Sequence, residues 1–177
     1  MRSQYENPHL VNPARGYVSS ANQLPADTAY PYYLGGSYPP YRGLEINRRL
    51  EKMVNITPGD MMKLQTDNYN VFAEMAMPVI IKNMQVDKLS PQELKYFNIL
   101  RNWNLKNDRN SKGATLFVVT WDSLETVVWN DEFLKSHLDL PWPSESTLLE
   151  DIIKYPDFKY LDNINTVQKE TLPDDIT

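Results

Sequence analysis

Residues 114–134 read ATLFVVTWDSLETVVWNDEFL, and the secondary structure of this stretch decides the fold class. Its valine, threonine and tryptophan content favours a strand. Its apolar positions Ala114, Phe117, Trp121, Leu124 and Val128 nevertheless recur at alternating intervals of three and four, which is the spacing of one helix face. The run also exceeds an ordinary strand, which holds roughly 3–10 residues. A helix is predicted over the stretch, and with it a mainly α-helical chain.

Working upstream, Ser90-Pro91-Gln92-Glu93 has the spacing of a capping box, and Leu94, Phe97, Leu100 and Trp103 follow at helical intervals. A polar loop, Asn104–Lys112, separates that helix from the one above. Thr57-Pro58-Gly59-Asp60 is another start: Thr57 caps, Pro58 suits the first helical position, and Asp60 faces the positive end of the dipole. Met61, Leu64, Val71, Phe72 and Met75 then line one side of a helix predicted to reach Pro78, kink there and continue over Val79–Met84. Ile46, Leu50 and Met53 predict an earlier helix over Arg42–Met53. Downstream, Leu138–Pro143 reads as a loop. Ser146–Tyr155 reads as a short helix burying Leu148, Leu149, Ile152 and Ile153, stopped by Pro156. Thr171-Leu172-Pro173-Asp174-Asp175 resembles a capped start, yet Thr177 follows directly; the expectation is that the natural polypeptide continues.

The first 42 residues are different. They hold six of the 13 prolines and seven of the 11 tyrosines, a composition of loops with at most one short strand. Gly16–Asn22 is the expected strand, entered through the turn Asn12-Pro13-Ala14-Arg15-Gly16. Period two puts Val18, Ser20 and Asn22 on one face and Tyr17, Ser19 and Ala21 on the other. The expected division is therefore 1–42, a strand and loop segment, and 43–177, a helical region.

With 177 residues, 41% of them apolar, the chain can bury a real core. A net charge of −5 and scattered Lys and Arg argue against a nucleic-acid partner. The absence of cysteine excludes disulfides, thiolate zinc sites and cysteine nucleophiles. No apolar run approaches the ~20 residues that span a bilayer, and MRSQYENPHL has no apolar core of a signal peptide; no membrane association is expected. His9 and His137 lie in no metal-ligand spacing, and neither a metal nor a cofactor is expected. G-x-S-x-G, Walker and G-x-G-x-x-G motifs are missing. The neighbouring acids Glu150-Asp151 and Asp174-Asp175 point in different directions on a helix and do not make an acid–base pair. The four tryptophans suit packing. Asn22 and Arg42 remain. An asparagine at a strand end commonly makes an Asx-turn, and an arginine at a helix start is mildly disfavoured by the dipole. A folded-back loop between them would bring the two side chains together.

NPARGYVSSANQ, YPYYLG, PPYRGLEINRRLEK and TPGDMMKLQTDNYNVFAEMAMPVII, in that order, resemble the β-subunit of penicillin acylases (penicillin amidases), a pattern shared by acyl-homoserine-lactone acylases. LSPQELKYFNILRNWN and the region of Trp121 are similar more loosely. The resemblance implies a fragment of an αββα N-terminal nucleophile hydrolase. In that family a precursor cleaves itself, and a serine at the new β-subunit terminus attacks a linear amide while its own α-amine takes the proton. Asn22 matches the asparagine that helps form the oxyanion hole, and Arg42 matches the arginine that orients it.

The chain begins Met1-Arg2, so the nucleophile and most of the acyl pocket are expected upstream of it. The implied partners are a small amide substrate and the remaining segments of the same precursor, its α-subunit and the rest of its β-subunit. The parent is expected in the periplasm or secreted, and the chain by itself is expected to be inactive. Some penicillin acylases carry a calcium-ligating aspartate shortly after the YP of this loop. Here Tyr32-Tyr33-Leu34-Gly35 has no carboxylate, so no metal site carries over. A rival reading is a standalone helical protein-interaction module without catalysis. A reading frame that extends on both sides, with a processed serine upstream, separates the two.

Overall fold

The structure is a computed structural model that describes residues 4–36, 38–133 and 140–161. It is mainly helical: α1 is Tyr41–Leu50, α2 Pro58–Gln65, α3 Val71–Asn83, α4 Pro91–Arg101, α5 Lys112–Phe133 and α6 Glu145–Lys154. His137 and the start signal at 171–175 lie outside the described residues, as does part of the expected loop at 138–143. The chain forms two compact units, Met1–Val71 and Phe72–Thr177.

In the first unit, α1 opens with no side-chain cap and carries Arg48 and Arg49 in its last turn, where the dipole favours cations. α2 starts as its sequence dictates. The Thr57 side chain accepts from the Asp60 backbone N–H while the Asp60 carboxylate accepts from the Thr57 backbone N–H at 3.1 Å. That exchange holds the Asp60 carboxyl below its ordinary range, through hydrogen bonds from the side chain and backbone of Thr57. The expected continuous helix to Pro78 is not what forms. α2 stops at Gln65, and the Asp67 carboxylate turns the chain by accepting from the Tyr69 N–H at 3.1 Å. The other Asp67 oxygen takes Arg49 Nη2 at 3.1 Å, while Arg49 Nε reaches the buried Glu45 at 2.6 Å. A chelating carboxylate outcompetes the helical period in that loop.

The expected strand at Gly16–Asn22 is also replaced. Residues 17–20 have no regular secondary structure, and no β-strand occurs among the described residues. Among the described residues no second strand lies beside the segment to complete a ladder. Its polar groups go to α1 instead: Ser19 Oγ donates to Asn47 Oδ1 at 2.7 Å, and Tyr17 Oη donates to the Asn47 carbonyl at 3.4 Å. The tyrosine-rich loop closes on itself. Tyr30 and Tyr32 meet edge to face at 5.6 Å, and both hydroxyls donate to Glu6.

The second unit confirms the decisive helix. Residues 112–133 form α5, and its one-sided spacing buries Phe117, Trp121 and Val128. Phe117 and Trp121 pack with Phe72 of α3, whose ring stands 4.8 Å from Trp121 at 85°. Ala73 and Ala76 are fully buried and let neighbours approach the α3 backbone. Pro78 lies inside α3 and on its exposed side, and the helix runs through it to Asn83. A carbonyl deprived of its donor on that side can turn to water. α4 starts at the predicted capping box, Ser90 with Glu93, which lowers the Glu93 carboxyl in the same way as Asp60. α6 is capped by Ser144 and buries Leu148, Leu149 and Ile152. Ile153, expected inside, is 54% exposed: it lies at the edge of an apolar stripe one row narrower than the expectation.

Candidate functional site

Both sequence candidates belong to the first unit. Residues 12–16 form a turn closed by Gly16 N–H donating to the Pro13 carbonyl at 2.9 Å. The chain then runs along α1 under the two hydrogen bonds to Asn47. Ala21 is buried, and at Asn22 the backbone turns into the left-handed region, φ 61°. Asparagine tolerates that region better than most residues. The turn brings the Asn22 side chain back over the start of α1. There Arg42, second residue of the helix, donates from Nη2 to Asn22 Oδ1. The two candidates, far apart in sequence, are thus in direct contact.

The chemistry of the pair follows from which atoms meet. A guanidinium only donates, so its partner on the amide is the oxygen. Asn22 Nδ2 is left with both N–H bonds available and has no hydrogen-bond partner among the described residues. The nitrogen is not tied into an Asx-turn. A pair arranged in this way presents a neutral donor whose dipole is reinforced by a cation behind it, which suits negative charge appearing in front of it. Arg42 at the positive end of the helix adds to that field.

Beside the pair lies an open groove of ≈ 750 Å³ whose lining includes Val18, Ser20, Arg42, Ile46, Met61 and Met62. Composition alone does not reveal this groove, because its walls come from three segments. Glu45, on its floor, is buried, with Arg48 Nη1 3.6 Å from Oε2 and Arg49 at Oε1. Among the described residues no group of three or more His, Cys, Asp or Glu side chains could hold a metal ion. His9 is bonded to the Asn7 carbonyl, two residues back. No described helix is long and apolar enough to cross a membrane.

In the second unit the raised carboxyls are Glu125 and Glu145. Burial is the main cause for each; Asp122 adds repulsion at both, and Glu125 adds it at Glu145, while the Trp121 indole N–H opposes the shift at Glu125 by donating at 3.0 Å. This cluster is a feature of packing around α5 and the start of α6.

A helical unit that presents an oriented amide beside a groove is compatible with hydrolytic chemistry, and the comparison with known families makes the class definite. The family model of penicillin amidase matches residues 2–177. The chain belongs to the penicillin amidase family, and that membership associates it with amide hydrolysis as a general chemistry. No solved structure matches the chain.

Proposed function

We propose that this chain is a β-subunit segment of an N-terminal nucleophile hydrolase of the αββα class, which cleaves the acyl side chain of penicillin-like or N-acyl substrates. In this reading a serine outside residues 1–177 attacks the linear amide carbonyl. Its own α-amine, with an ordinary pKa of about 7.7–8.0, accepts the hydroxyl proton near working pH. Negative charge builds on the carbonyl oxygen as the tetrahedral intermediate forms. Asn22 Nδ2 donates to that oxygen, and Arg42 holds the amide so that nitrogen faces the substrate. On collapse the α-ammonium returns that proton to the departing nitrogen, and the C–N bond breaks to release a neutral amine. The acyl-enzyme left behind is hydrolysed by water to the free acid and the serine. The remaining α- and β-segments of the precursor supply the nucleophile and the acyl pocket. The parent works in the periplasm or outside the cell, and the isolated chain is inactive.

The observation that carries this reading is the Arg42–Asn22 hydrogen bond, which occupies the oxygen and leaves the nitrogen free. The test is hydrolysis of a chromogenic acyl-anilide by the full-length precursor product and by residues 1–177 alone. Turnover is expected from the first and not the second. Asn22→Ala in the full-length enzyme is expected to lower kcat by roughly 10²–10³-fold, the usual cost of one oxyanion donor. Undiminished turnover refutes the assignment.

A further inference from the structure

Gln23, the residue after Asn22, folds back over the chain that leads into it. Its Oε1 accepts from the Ala21 N–H at 3.0 Å, and its Nε2 donates to the Ser19 carbonyl at 3.2 Å. The side chain therefore clips residues 19–21, immediately before the left-handed turn at Asn22. This clip occupies a space that α1 leaves for it. A Cβ added to Gly43 would stand 2.5 Å from Gln23 Oε1 and 3.3 Å from its Cδ. Gly43 is buried and helical, without a positive φ, so the backbone does not require glycine there; the bulk of Gln23 does. Asn47, one turn on, closes the circuit. Its Nδ2 donates to the Gly43 carbonyl at 2.8 Å, and its Oδ1 accepts from Ser19 Oγ at 2.7 Å.

We propose that Gln23, seated on Gly43, is a positioning residue that sets the direction of the Asn22 amide, with Asn47 as its anchor. The geometry gives each part a job. Arg42 and Gly43 are successive residues of α1. One grips Asn22 by its oxygen, and the other lets Gln23 settle close enough to fix the backbone from which Asn22 projects. The inference rests on the proposed function of Asn22, and its experiment separates the two.

The decisive variant is Gly43→Ala in the full-length enzyme. The clash falls on the far end of a flexible side chain, so α1 survives, alanine being the better helix former; what is lost is the clip. Displacement of a reacting group by about 1 Å costs up to ~10²-fold, so kcat is expected to fall about 10- to 100-fold with KM little changed and the melting temperature held or raised. Gln23→Ala is expected to match it, and the two together to be no worse than Gln23→Ala alone. In an Asn22→Ala background, neither substitution is expected to lower kcat further. A further loss there, or wild-type kcat in both single variants while Asn22→Ala is impaired, overturns the positioning role and leaves the proposed function standing. Wild-type kcat in Asn22→Ala overturns the function itself. A second readout needs no turnover: in a ¹⁵N spectrum of the full-length enzyme, Gly43→Ala is expected to move the Asn22 side-chain amide signals, and unmoved signals refute the proposal.

Discussion

Replacing Arg42 by alanine removes the donor that orients the Asn22 amide, and the size of the effect follows from the exposure of the pair. A hydrogen bond from a charged donor contributes roughly 1.5–3 kcal/mol when sheltered. Both residues are exposed here, and water competes for each, so about 1 kcal/mol is the appropriate discount. Spent on orientation, 1 kcal/mol holds the amide in one of two flipped states by about 5:1. Without it the productive orientation drops toward one half, and the local field of the cation is lost as well. The change of orientation alone is less than about twofold, and losing the cation's field, roughly 1 kcal/mol at this exposure, adds up to about 5-fold. Arg42→Ala is therefore expected to lower kcat by about 2- to 10-fold, well short of the ~10²–10³-fold for removing the donor in Asn22→Ala. Arg42→Lys keeps charge but not the planar fork and is expected to fall between wild type and alanine. The assay is initial-rate hydrolysis of a chromogenic acyl-anilide by the full-length enzyme, with kcat and KM separated and folding checked by thermal melting. Arg42→Ala as damaging as Asn22→Ala refutes the reasoning, since the arginine would then act on the substrate itself rather than through the amide.

Other outcomes follow from the packing and the titrating groups. Gly113→Ala places a Cβ 2.3–2.6 Å from the Trp103 side chain; the indole root cannot move aside, and a loss of about 1–3 kcal/mol or more is expected in urea unfolding of the chain. Phe117→Ala, at the centre of the aromatic cluster with Phe72 and Trp121, is expected to cost about 3–5 kcal/mol by the same measurement. The capping carboxylates Asp60 and Glu93 have lowered pKa values in the folded state. Their contribution is present above the ordinary carboxylate range and is lost as pH falls through the lowered values; Ser90→Ala is expected to flatten the acid limb of melting temperature against pH. Glu145 has the opposite sign. Its raised pKa means the folded state binds the proton more tightly, so it favours folding at acid pH and opposes it increasingly as pH rises through and above the ordinary range. Glu145→Gln is expected to raise the melting temperature at pH 7 and leave it unchanged near pH 4.

The sequence by itself determined what is decided within a turn or two of chain. The boxes at Thr57–Asp60 and Ser90–Glu93 satisfy their own backbone donors over three residues, so their helices start where the letters say. The intervals across 114–128 overrule β propensity because a helix of that length buries a face and a lone strand does not. The motifs from Asn12 to Ile81 carried the family resemblance, to which the penicillin amidase match over residues 2–177 corresponds. The tertiary structure alone decided the rest. Whether 16–22 forms a strand depends on a neighbour, and α1 took its hydrogen bonds through Asn47 instead. The helix break after Gln65 depends on Asp67 meeting Arg49, and the exposure of Ile153 depends on where the apolar stripe ends. Asn22 and Arg42 were legible as candidates, but that Oδ1 rather than Nδ2 is occupied, and that Gln23 needs the empty space at Gly43, are consequences of chain path. Side chains separated by many bonds meet only when everything between them has folded, and no local spacing encodes which atom of an amide faces inward.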